Sequence, residues 1–171
     1  MNESCAVNEP YPTTETGERN PCWAALLYND YAGGVGELGA ITKYIYQALT
    51  VAGDNSELAS DLRCIAMTEM RHLELVGELI VSLGGDPKYR TLERCAERWW
   101  SGGNLNYCRD IRYFLREDIK CEQKAIAGYR LRLCQIRNEA VQTLIERIIK
   151  DELRHIEIFE SWLDRLERDG E

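Results

Sequence analysis

Histidine and proline are both scarce in this chain, with two histidines and four prolines among 171 residues. Pro10, Pro12 and Pro21 lie near the start and Pro87 just after Gly84-Gly85. Two long proline-free blocks remain, which is what long helices require. No stretch approaches the roughly 20 apolar residues of a membrane-spanning helix, so no membrane partner is expected. A basic excess is missing as well: 21 Lys+Arg stand against 29 Asp+Glu, a net charge of −8 at pH 7. That balance excludes the positive footprint of a nucleic-acid binder. The first residues, Met1-Asn2-Glu3-Ser4-Cys5, lack the basic and apolar segments of a secretory signal. Seven cysteines occur without one Cys-x-x-Cys pair, which excludes a cysteine-bound iron or zinc ribbon in this sequence. The odd count fits reduced thiols in the cytoplasm better than a disulfide framework. Alternating strand-type runs between turn residues are absent too.

What is present is organised by turn residues. Residues 1–21 are polar and read as an irregular arm, ahead of one domain over 22–171. A short helix is expected from Cys22 to Tyr31, interrupted at Gly33-Gly34. Four longer helices are expected after it. The first runs from about Val35 to Val51, and the second from the capping residues Asn55-Ser56 to Gly84-Gly85. The third runs from about Asn104 to Gln135, and the fourth from about Asn138 to Asp169. The linker Asp86–Gly103 can reach about 60 Å when extended, enough to recross a bundle about 45 Å long. The expected fold is all-α, a four-helix bundle of two helical hairpins joined by a crossover linker.

The 3.6-residue period locates the inward stripe of each helix. The second long helix gives Leu58, Leu62, Ile65, Glu69, His72, Val76, Leu79 and Leu83. The fourth gives Val141, Ile145, Ile148, Glu152, His155, Phe159, Trp162 and Leu166. Each is apolar except for a Glu and a His near its middle. The third adds Glu122 among Ile111, Leu115, Ile126 and Tyr129, and the first adds Glu37 among Ile41, Tyr44, Ala48 and Val51. An ionised carboxylate buried alone is prohibitively costly, so it is neutralised, paired or metal-bound. No Lys or Arg shares these stripes, which leaves metal as the natural partner.

Two further patterns agree. Glu37, Glu69, Glu122 and Glu152 each lie 15 to 17 residues from the turn of their own hairpin, about 22–26 Å along a helix, so partners meet at one depth. The sequence also repeats: Glu37-x-x-Ala40-Ile41-x-x-Tyr44 recurs as Glu122-x-x-Ala125-Ile126-x-x-Tyr129, and Glu69-Met70-Arg71-His72-Leu73-Glu74 as Glu152-Leu153-Arg154-His155-Ile156-Glu157. Each hairpin thus offers a Glu from one helix and Glu-x-x-His from the other. In a helix, residues i and i+3 share a face, so both side chains can serve one metal pair.

Over residues 33–168 these motifs resemble the ferritin-like superfamily. Val35-Gly36-Glu37-Leu38 and Glu69-Met70-Arg71-His72 look like bacterioferritin. Gly33-Gly34 followed by Val35-Gly36-Glu37-Leu38-Gly39-Ala40 looks like the manganese catalases, and the bundle without a rubredoxin tail is similar to the erythrin domain of rubrerythrins. The resemblance implies a ferritin-like four-helix bundle with two Fe ions, or alternatively two Mn ions. Glu37 and Glu122 would be terminal carboxylates, Glu69 and Glu152 bridging ones, and His72 and His155 nitrogen ligands. In manganese catalases the Glu at the position of Glu152 can instead stand behind the ligands. Met70 sits where bacterioferritins carry the methionine that ligates haem, although its repeat partner Leu153 reads as ordinary packing. A mineral-storing cage needs a fifth helix that the residues after His155 do not supply, so a homodimer or small homo-oligomer is expected.

Tyr44 and Tyr129, seven residues after Glu37 and Glu122, are candidate catalytic residues, as hydrogen-bond or one-electron donors near the metals. The alternative is a core tyrosine with a satisfied hydroxyl. Glu117 aligns with Tyr113, Lys120 and Lys124 on a polar stripe and is assigned to solvent. Cys95, Cys108, Cys121 and Cys134 read as scattered buried thiols, and Trp99-Trp100 as a cap on the bundle, the alternative being an oligomer contact. Carboxylate and imidazole ligands suit Fe or Mn, and the chemistry of such a pair is redox work on hydrogen peroxide or O2. The expectation is a cytoplasmic di-iron oxidoreductase of rubrerythrin type (peroxidase or ferroxidase), drawing electrons from a separate donor protein. The alternatives are a manganese catalase and a bacterioferritin-like iron store.

Overall fold

A computed structural model of the chain describes residues 5–93 and 96–168. Residues 5–20 run without helix or strand. Five α-helices are formed: α1 (Pro21–Ala32), α2 (Glu37–Val51), α3 (Ser56–Ser82), α4 (Ile111–Gln135) and α5 (Glu139–Arg168). The side chains of Asn20, Asn55 and Asp110 accept hydrogen bonds from the Trp23, Leu58 and Tyr113 amides. Asn138 does the same for Val141. Each cap satisfies one of the amides that a helix start leaves unpaired. After α3 the chain turns through Gly84 at φ +87°, a conformation that costs glycine no steric clash. Gly36 meets a different need. A Cβ there would lie 2.5 Å from the Asp30 carbonyl oxygen, so only glycine lets α2 begin so close to the end of α1. That approach sets the position of Glu37, the first residue of α2.

The apolar core forms two clusters. One joins the second half of α3 (Leu75 to Leu83) to the first half of α5 (Val141 to Ile148), with α1 and the end of α4. The other joins the first half of α3 (Leu58 to Ala66) to Phe159 and Trp162 of α5, Tyr44 to Val51 of α2 and Phe114-Leu115 of α4. Helices α3 and α5 are therefore antiparallel, and so are α2 and α4. Since α3 ends beside one cluster and α4 begins beside the other, the connection between them traverses the length of the bundle. The two hairpins, α2–α3 and α4–α5, are related by a pseudo-twofold axis across it.

That connection departs from the expectation of a chain without strands. Strands β1 (Arg90–Glu93) and β2 (Ala96–Trp99) pair antiparallel, with Arg90 opposite Trp99. The residues of β2 are all exposed and in β1 Thr91 alone is buried among Arg90–Leu92, so the hairpin has no alternating apolar face to leave a signature. It is tied down by Arg90, which pairs with Glu97 and stacks over the Tyr28 ring of α1. A 3-10 turn at Gly102–Asn104 and an irregular stretch follow. Helix α4 starts at Ile111 rather than Asn104 because Asp110 supplies the cap. Trp100 packs against the first cluster while Trp99 is 61% exposed, so capping falls to Trp100 alone.

The expectation of reduced cysteines is corrected. Cys5 and Cys64, 59 residues apart, form a disulfide that ties the arm to α3. Spacing alone cannot reveal a bond that depends on where the arm docks. Cys134 is exposed and Cys108 and Cys121 partly so, rather than buried, and Cys95 lies outside the described residues. No helix among the described residues is long and apolar enough to cross a membrane.

Candidate metal centre

Between the two apolar clusters lies a charged layer. Glu37 of α2, Glu69 and His72 of α3, Glu122 of α4, and Glu152 and His155 of α5 are all buried, none more than 4% exposed. They fall into two groups whose potential ligand atoms lie within 4.8 Å of one another: Glu37, Glu69, His72 and Glu152, and Glu69, Glu122, Glu152 and His155. Glu69 and Glu152 belong to both. The imidazoles face the carboxylates through Nδ1. His72 Nδ1 is 3.0 Å from Glu69 Oε2 and 3.2 Å from Glu152 Oε1. His155 Nδ1 is 3.1 Å from Glu152 Oε2 and 3.2 Å from Glu69 Oε1. The pseudo-twofold symmetry of the repeat is thus preserved in atomic detail. The tyrosines cross between hairpins: Tyr44 donates to Glu122 Oε1 and Tyr129 to Glu37 Oε1.

No Lys or Arg lies on the inward stripes, and the buried or half-buried cations nearest this layer are committed elsewhere. Lys43 pairs with Asp118, Arg132 with Asp30 and Arg147 with Asp151. The four glutamates are left with two imidazoles and two phenols. Burial raises the carboxyls of Glu37 and Glu122 well above the usual range, and the neighbouring Glu69 and Glu152 raise them further. Burial also pushes the Glu69 carboxyl up, yet His155 and His72 outweigh it and hold that group below its ordinary value. Burial works against a charged His155, but Glu69 and Glu152 bring it up to about 10. Without metal, protons carry the charge balance of the layer. Glu69 Oε1 and Glu152 Oε1, at the centre, have no hydrogen-bond partner. Unsatisfied oxygens in a buried mixed carboxylate–imidazole set fit a pair of Fe or Mn dications.

Three residues behind the layer escaped the sequence reading. Asp151 Oδ2 lies 3.0 Å from His72 Nε2, the arrangement that fixes a ligand imidazole with Nδ1 free to bind. Tyr11, from the arm, donates to the same oxygen at 2.6 Å and lies 3.3 Å from His72 Nε2. Arg147 pairs with Asp151 at 2.7 Å and also donates to the Val7 and Glu9 carbonyls. The available signal was Asp151 beside Glu152, where the repeat has Thr68 beside Glu69. His155 Nε2 has no hydrogen-bond partner, so the halves differ here. Met70 stands 55% exposed on α3, outside the layer. Glu117 pairs at the surface with Lys120.

Residues 12–101 match the sequence profile of a family described as manganese containing catalase. A bacterioferritin of Desulfovibrio desulfuricans is 30% identical over 129 residues, covering 73% of this chain and 66% of that protein. A probable manganese catalase of Clostridium acetobutylicum is 25% identical over 170 residues, covering 88% and 74%. Among solved structures, KatB, a manganese catalase from Anabaena PCC7120, superposes with a TM-score of 0.83 at 27% identity, over 93% of this chain and 78% of that one. The D. desulfuricans bacterioferritin superposes at 0.72 with 24% identity, over 88% and 85%, a likeness of fold. The architecture is the ferritin-like four-helix bundle.

Proposed function

Because the chain belongs to the manganese-containing catalase family within the ferritin-like superfamily, we propose that it is a dimetal oxidoreductase that converts hydrogen peroxide to water and O2. The observation that carries this reading is the pair of twofold-related ligand groups sharing Glu69 and Glu152. Two manganese ions, or two iron ions, bound there would exchange two electrons with peroxide. Glu37 and Glu122 are the terminal carboxylates in this proposal, Glu69 and Glu152 the shared ones, and His72 Nδ1 and His155 Nδ1 the nitrogen donors. The nearness of Glu152 to both imidazoles supports counting it with the ligands rather than behind them. Tyr44 and Tyr129 orient Glu122 and Glu37 through their donated hydrogen bonds. Each phenol also keeps a proton beside the site, because burial and the adjacent carboxylate push it well above its ordinary value. Asp151 and Tyr11 hold the His72 ring.

The likenesses found are to manganese catalases and bacterioferritins, so the catalase-type reading is preferred over a donor-dependent rubrerythrin type. The bacterioferritin relative supports a second reading, oxidation of Fe(II) at the same six residues. Elemental analysis with oxygen-electrode measurements separates them. Two manganese ions per chain and donor-free O2 release from peroxide are expected. Catalytic Fe(II) oxidation with mineral build-up, and no O2 release, would replace the first reading by the second. A Glu69→Ala or His155→Ala protein should lose at least one metal, and retention of both with full activity would defeat the ligand assignment.

A further inference from the structure

The sequence repeat pairs Glu69 with Glu152 and His72 with His155, so it also sets Asp151 against Thr68 and Arg147 against Cys64. The six ligand positions obey the symmetry and these two pairs do not. Behind His72, both oxygens of Asp151 are engaged. Oδ1 accepts from the Val7 amide at 2.8 Å, while Oδ2 accepts from the Tyr11 hydroxyl at 2.6 Å and meets His72 Nε2 at 3.0 Å. Arg147 completes the group: it pairs with Asp151, donates to the Val7 and Glu9 carbonyls and lies 4.4 Å over the centre of the Tyr11 ring. Every second residue of the arm thus makes a tie: Cys5 to Cys64, Val7 to Asp151, Glu9 to Lys150 and Tyr11 to Asp151. Behind His155 the symmetry-related residues supply nothing of the kind. Thr68 spends its hydroxyl on the Cys64 carbonyl of its own helix, at 3.4 Å. His155 is wholly buried, and its Nε2 meets no partner among the described residues.

A ring that binds metal through Nδ1 must carry its proton on Nε2. At His72 that proton has an acceptor in Asp151, which fixes both the tautomer and the plane of the ring before any metal arrives. At His155 the same proton is buried without an acceptor, at a cost in free energy. We infer that the arm, through Tyr11 and Asp151, makes the two metal positions unequal: the one served by His72 is the tighter and fills first, and the one served by His155 fills second. Glu69 and Glu152 enter both ligand groups, so they favour neither position. Tyr11 is a positioning residue, acting on the metal through Asp151 and the far nitrogen of His72. Without its hydroxyl, Asp151 keeps Val7 and Arg147 but loses the donor that sets Oδ2 against the ring. This assignment rests on the dimetal reading above.

The test loads the metal-free full chain with Mn(II). Two dications repel, so unequal binding steps alone do not identify the cause, whereas the order in which the positions fill does. Crystals holding one Mn(II) per chain should show anomalous scattering beside His72 Nδ1, at an occupancy about tenfold or more above that beside His155 Nδ1. Equal occupancies, or an ion beside His155 alone, overturn the inference. Tyr11→Phe keeps the ring under Arg147 and removes the hydroxyl. In Mn(II) titrations followed by the paramagnetic resonance of the free ion, this variant should weaken the first step by about threefold or more and leave the second within about twofold. A parental first step overturns the role of Tyr11, and so does equal weakening of both steps, which is what a general loss of structure produces. If Tyr11→Phe fails to fold, the occupancies in the parent crystals decide. A parent that binds neither Mn(II) nor Fe(II) in the layer refutes the proposed function itself, whereas a parent that loads both positions equally refutes only their inequality.

Discussion

Tyr129 donates its phenolic proton to Glu37, and Tyr44 to Glu122, so each hairpin's phenol steadies the other hairpin's carboxylate. Groups that hold a ligand are typically worth 10–100-fold in metal affinity. Tyr129→Phe should therefore fold normally and bind metal about 10–100-fold more weakly in competition with a chromophoric chelator. Parental affinity would reduce Tyr129 to a core residue. The residue scale also separates legible from hidden. Glu37, Glu69, His72, Glu122, Glu152 and His155 are legible because each interrupts an otherwise apolar 3.6-residue stripe. Asp151, Asp118 and Lys43 are not, because they sit on the flanks of their helices, where charge is ordinarily solvated. They are buried because the arm covers Asp151 with Tyr11 and because Lys43 and Asp118 meet across the gap between α2 and α4.

At the scale of elements, the arm and α1 are held by polar ties that no periodicity predicts. The Cys5–Cys64 bond closes a loop of 59 residues, and chain entropy puts its stabilisation at about 4 kcal/mol. Urea unfolding of Cys64→Ser, or of the parent in excess dithiothreitol, should show a loss approaching that size. A change below about 1 kcal/mol would mean that the unfolded chain is not constrained by the bond. Helix α1 is tied to α4 by Asp30 and Arg132, 2.7 Å apart. Burial lifts the Asp30 carboxyl from 3.8 to about 6, Arg132 offsetting only part of the cost. Asp30 therefore binds its proton more tightly folded than unfolded. Its contribution to stability is full below pH 3.8 and is lost as pH rises through about 6. An Asp30→Asn protein lacks that proton, so its stability should fall less between pH 4 and 7 than the parent's. The difference should be on the order of 2–3 kcal/mol, read from urea titrations of the metal-free protein across that range. Identical pH slopes would contradict it.

For the whole molecule, the charged layer divides the core in two, and the metal-free protein must hold it together with protons. Two dications would displace those protons and take the formal charge from −8 to about −4. A ligand that binds only the folded state stabilises it by about 4 kcal/mol at a thousand times its Kd. Chelation should therefore lower the melting temperature by several degrees, and restoring manganese or iron should recover it. Metal uptake in weak buffer should also release protons. A melting temperature indifferent to chelation would argue against occupation of the layer.

The sequence by itself determined the four long helices, their pairing into hairpins, the internal repeat and the six inward residues. All of these follow from short-range rules: period, caps, proline placement and level along a helix. The tertiary structure decided the antiparallel hairpin in the connection, the Cys5–Cys64 bond, the placing of Tyr11 and Asp151 behind His72, and the meeting of Lys43 with Asp118 between α2 and α4. Each depends on contacts between segments distant in sequence, whose partners are set by how helices and arm pack rather than by any pattern within one of them.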